Sequence, residues 1–99
     1  MSSNINEGIL FTIICEAFLQ DRLIHLLQTI GVSGYTIIPA QGAGSHGRRI
    51  GDIAGYNTNI EIKTIVTSEK SDQLLDELNQ FETNRALIAF RQKVDGLFD

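Results

Sequence analysis

A single cysteine among 99 residues leaves no partner for an internal disulfide and no material for a Cys-rich metal site. Cys15 stands in the apolar run ILFTIICEAF, where a buried, unreactive thiol is the expected state. That run is too short to span a bilayer. Basic residues are few, eight against twelve acidic, and the net charge of −4 sets the overall field against nucleic acid and anionic lipid. No basic residue lies in the opening MSSNINEG, so no secretory signal is expected and a cytoplasmic location is. The only two histidines, His25 and His46, have no second ligand near them in sequence, and no metal is expected. Repeats and low-complexity tracts are absent.

What remains is the composition of an ordinary soluble domain, 42% hydrophobic and 20% charged. Residues 1–99 are expected to form one domain, small enough to gain from burying a second apolar surface in an oligomer. ILFTIICEA, residues 9–17, is apolar on both alternating faces and predicts a central strand. The spacing of Leu23, Leu26, Leu27 and Ile30 predicts an amphipathic helix that opens near Asp21 and stops at Gly31. GYTIIPAQG reads as a second strand, placed at a sheet edge because the sole proline, Pro39, cannot donate to a ladder. A third strand sets Ile60, Ile62, Thr64 and Val66 against Asn59, Glu61, Lys63 and Ile65. Ser68 is the expected cap of a second helix striped by Leu74, Leu75, Leu78 and Phe81. RALIAFRQ supplies a last strand and KVDGLFD a short tail. The order βαββαβ predicts an α+β, ferredoxin-like split βαβ fold: a four-stranded antiparallel sheet with two helices on one face. The other face, part polar and part aliphatic, suits burial in a symmetric oligomer.

Between the middle strands lies AQGAGSHGRRIGDIAGYN, residues 40–57, with five of the nine glycines. Loops this long are uncommon in compact domains unless they carry function or are unstructured. Glycine lets backbone N–H groups approach a phosphate closely, and Arg48 and Arg49 offer forked donors to its oxygens. Ser45 and His46 add a hydroxyl and an imidazole. The segment is neither a Walker loop, for want of its lysine and following helix, nor a dinucleotide fingerprint. On composition alone a solvated hairpin remains open. No nucleophile–base pair stands out, Asp52 is the loop's only carboxylate, and an enzyme is not expected.

GYTIIPAQGAGS entering a long hairpin loop on a βαββαβ frame resembles the PII superfamily of trimeric signalling proteins, in particular its short PII-like branch tied to bicarbonate transport and carboxysomes. The resemblance spans nearly the whole chain in element order. Its specific residues are Gly34, Tyr35 and Thr36, then Gly42, Gly44 and Ser45 with the arginines after them. It implies a homotrimer whose sheets form a central barrel, and a T-loop at about residues 42–57. It further implies an adenine nucleotide (AMP, ADP, ATP or cyclic AMP) held between subunits by Thr36, Ile37, Gly42, Ala43, Gly44 and Ser45. Arg48 or Arg49 would meet the phosphates, with Arg85 and Arg91 as further contacts from the last strand, and bicarbonate is a second candidate ligand. The implied partner is a membrane bicarbonate transporter or a carboxysome-related protein, reached through the T-loop; nucleic acid is not implied.

Three features depart from the family's pattern. FETNRALIAF carries only Arg85 where nucleotide-binding members have a basic, glycine-rich loop. Tyr56 ends the loop rather than marking its tip, so uridylylation does not transfer. KVDGLFD has no cysteine, so redox control through the tail does not either. Competing readings are a metal-tolerance-type or purely structural trimer, a small phosphohydrolase and an RNA-recognition module. The phosphohydrolase lacks a phosphate cradle after strand one, where CEAFLQD has no glycine. The RNA module lacks aromatics on strand three.

Overall fold

A computed structural model of the chain describes residues 5–41, 59–81 and 87–99. The observed order is β1 (Asn6–Glu16), a single 3₁₀ turn (Ala17–Leu19), α1 (Gln20–Ile30), β2 (Thr36–Ala40), β3 (Asn59–Val66), α2 (Ser68–Asn79) and β4 (Ile88–Gly96). The strands pair in the order β2-β3-β1-β4, antiparallel throughout. This is the expected α+β split βαβ sheet, with the Pro39 strand at one edge and β4 at the other.

Register explains which side chains form the core. Opposed residues of an antiparallel pair share a face. Phe11 lies opposite Thr64 and Arg91, and Ile13 opposite Ile62 and Ala89. One face of the sheet therefore carries Phe11, Ile13, Cys15, Ile60, Ile62 and Val66, all buried, beneath Leu23 and Leu27 of α1 and Leu74 and Leu78 of α2. Cys15 is fully buried there, as its apolar setting predicts. Arg22 lies 4.3 Å over the Phe81 ring and ties the start of α1 to the chain beyond α2. Among the described residues no helix is long and apolar enough to cross a membrane.

The helix ends follow local chemistry, with one correction. Gly31 closes α1 in the left-handed conformation, φ 95°, as its position after Ile30 predicts. Lys70 Nζ donates to the Gly31 carbonyl at 2.8 Å, joining α1's end to α2's start. The cap of α2 is Thr67, not Ser68. Thr67 keeps an extended backbone, and its hydroxyl accepts from the Lys70 amide at 3.2 Å, whereas Ser68 is already helical. Thr67→Ala should accordingly cost about 1 kcal/mol in urea denaturation. Ser68→Ala, removing no cap, should fall within about 0.5 kcal/mol of the parent.

The last strand is the second difference. It starts at Ile88 and runs to Gly96, so most of the expected tail is strand. Residues Arg91 to Gly96 hold pairing with β1 through Asn6–Phe11. Polar residues at an edge strand hide this continuation, because neither face needs an apolar residue at every second position.

Candidate functional site

The face of the sheet opposite the helices carries the even-numbered residues of β1, β2 and β4 and the odd-numbered ones of β3. Thr36 of β2 lies opposite Lys63 of β3, Lys63 opposite Thr12 of β1, and Leu10 opposite Ile65. At the end of this open face where β2 begins there is an open-sided cavity of about 740 Å³. Leu10, Ile65 and Phe98 give it an apolar wall, and Thr36 and Lys63 supply a hydroxyl and a cation. Its rim is the α1–β2 connection, Gly31 to Tyr35.

That rim is held from beneath. Thr64, buried on the helix side of β3, donates its hydroxyl to the Gly34 carbonyl at 2.5 Å. The bond fixes the backbone immediately before Tyr35 and Thr36. Tyr35 remains 38% exposed at the cavity edge. Lys63 is lightly committed: its Nζ is 3.6 Å from Glu61 Oε2, and its side chain is 43% exposed. A solvated pair of this kind contributes little to stability, so the ammonium can turn to a ligand at small cost.

The expected site residues divide clearly. Thr36 lines the cavity. Ile37 alternates to the other face, half-buried against the helix-side core, so only its main chain borders the open side. Gly42, Ala43, Gly44, Ser45, Arg48, Arg49 and Arg85 lie outside the described residues. Arg91 sits on the helix side of β4, where its Nη1 donates to Ser71 Oγ and to Asp72 Oδ1, both at 2.6 Å. Within one subunit it does not face Thr36. A second cleft of about 800 Å³, between β1, β4 and the start of α2, holds none of the expected nucleotide residues.

Two cavity residues escaped the sequence reading. Lys63 appears there only as the polar half of an alternating strand, and its place opposite Thr36 depends on register. Phe98 belongs to a segment read as a tail.

The family model for nitrogen regulatory protein P-II matches residues 9–95. The chain belongs to the P-II family. Its fold is shared at a TM-score of 0.79 with a PII-like signaling protein from Thermus thermophilus, 32% identical over 96% of this chain and 94% of that one. It is also similar to CPII, a nitrogen regulatory PII-like protein from Thiomonas intermedia. In one structure CPII is bound to ADP, AMP and bicarbonate, with 26% identity over 95% of this chain and 92% of that one, at a TM-score of 0.82. In another it is bound to ADP and bicarbonate, with the same identity and coverage and a TM-score of 0.81. No curated protein matches the chain significantly. As a P-II member the protein is a PII-like regulatory protein, of a family of signalling proteins rather than enzymes.

Proposed function

We infer that this P-II protein is a homotrimeric sensor that binds ADP or AMP in the open-face cavity and reports the bound state through residues 42–57. The observation that carries the reading is the cavity itself, which joins Thr36 of the family-like GYT stretch to Lys63, Leu10 and Ile65 on one sheet face. Its open side is consistent with closure by a neighbouring subunit. The apolar wall suits a base and the Thr36–Lys63 pair suits the polar remainder of a nucleotide. From Thr36 to Ala40 the edge strand runs about 13 Å toward the glycine-rich segment. Phosphates directed along it would meet Gly42, Ala43, Gly44 and Ser45, then Arg48 and Arg49. Arg85 would serve phosphate across a subunit boundary, and Arg91 would do so only by giving up Ser71 and Asp72. Bicarbonate, bound with ADP by CPII, is the proposed second ligand. The proposed output is control of inorganic-carbon uptake or fixation through a membrane bicarbonate transporter or a carboxysome-related protein. Ligand would act by favouring one ordered state of the 42–57 segment over others.

Lys63→Ala tests the placement. Calorimetry should show ADP binding weakened about fivefold, a charge-assisted contact reduced by partial exposure. AMP, with one phosphate fewer, should lose less. Equal ADP affinity in the variant and the parent would remove this cavity from the nucleotide site.

A further inference from the structure

Beyond β4 the chain turns back over the open face instead of leaving it. Asn6 Nδ2, at the start of β1, donates to the carbonyl of Phe98 and pins the turn. The Phe98 ring then lies on Gly8, where a Cβ would come within 3.1 Å of Phe98 Cε1 and 2.8 Å of Ile65 Cγ2. Glycine at position 8 thus lets an aromatic ring and an isoleucine close on one spot of the sheet. On the neighbouring strand, at Gly96, the same ring is 3.6 Å from a Cβ position. Ring, Ile65 and Leu10 together make the apolar wall of the cavity that also holds Thr36 and Lys63.

We propose that Phe98, held by Asn6 and seated on Gly8, is the platform for the nucleotide's purine base, and that the 97–99 segment is therefore part of the ligand site. The proposal rests on the reading of the cavity as the nucleotide site and assigns its base-recognising end. A flat ring beside two aliphatic side chains recognises a π-face and offers no ladder of donors to count phosphates. The contact is made to the part that AMP and ADP share, so its removal weakens both equally. Lys63 and the loop arginines, by contrast, act on the phosphates.

Calorimetric titration of the full chain with AMP and with ADP separates these roles. Phe98→Ala should weaken both ligands about tenfold, the usual scale for losing one base–aromatic contact. Phe98→Tyr, which keeps the ring, should stay within about twofold of the parent. Asn6→Ala, which keeps the ring but frees the turn, should fall between them. Oligomeric mass, recorded alongside, should not change. If Phe98→Ala binds as the parent does, the platform is overturned while the cavity stands. Tighter binding by Phe98→Ala overturns it as well, making the ring a plug. A parent chain that binds neither nucleotide overturns the cavity reading and the platform together.

Discussion

Aspartate at both Ile88 and Phe90 is expected to turn the proposed trimer into folded monomers and to abolish the proposed nucleotide binding. The two residues lie opposite Ile14 and Thr12 on the open face of β4. Ile88 is 48% exposed and Phe90 45%, beside Ile38 at 39% and Ile65 at 42% on the same face. Four large apolar side chains on one sheet face are more than a lone soluble domain usually leaves in water. Burying the part of each that is still exposed gains roughly 1 kcal/mol. Three copies of a double aspartate variant would instead bring six carboxylates into the shared interior, at several kcal/mol each if left unpaired. The helix-side core contains neither residue, so far-ultraviolet circular dichroism should stay that of the parent. Light scattering should report a monomer, and titration with ADP should show no heat. A trimer that survives both substitutions would mean that this face is not the subunit interface.

The second large effect concerns Arg48 and Arg49. Their joint replacement by alanine is expected to reduce ADP affinity by a factor of roughly 100 or more while the trimer persists. Each charge-assisted phosphate contact contributes roughly 1.5–3 kcal/mol where solvent is excluded, and less where it is not. AMP should be affected less than ADP, since it has fewer oxygens to reach. Set against Phe98→Ala, which is expected to weaken both ligands alike, that result would assign opposite ends of the nucleotide to the two groups. An unchanged dissociation constant for ADP would remove the arginines from the site and leave them as a surface for a protein partner.

How far the sequence could be read depended on where each residue meets solvent. Central strands were legible because both of their faces are constrained. The alternation of Ile60, Ile62, Thr64 and Val66 against Asn59, Glu61, Lys63 and Ile65 survives residue for residue in the register of β3. Pro39 correctly marks an edge strand, and Gly31 correctly ends α1. Edge strand β4 was legible only to Gln92, because Lys93, Asp95 and Gly96 break the apolar period beyond it. The Arg91 contacts with Ser71 and Asp72 were hidden for a related reason. They join α2 to β4 across the fold, and nothing local to either segment announces the other.

Of the residues lining the proposed site, Thr36 is reached from sequence only through the resemblance of the Gly34-Tyr35-Thr36 stretch to the PII superfamily, since by composition the stretch reads simply as strand. Lys63 required knowing that β2 pairs with β3 in the register that sets it against Thr36. Phe98 required knowing that the chain turns back onto Gly8, a contact between the two ends of the sequence. In both cases the missing information was pairing over long separations, which no window of sequence contains. Gly8 gives little sign of this in sequence, because it follows the polar Asn6 and Glu7 at the very start of β1.

The most direct test of the account is calorimetric titration of the purified chain with ADP and AMP, with and without bicarbonate, while its mass is measured in the same buffer. The account predicts a trimer that takes up about one nucleotide per subunit. A trimer that binds neither nucleotide under any of these conditions would contradict it.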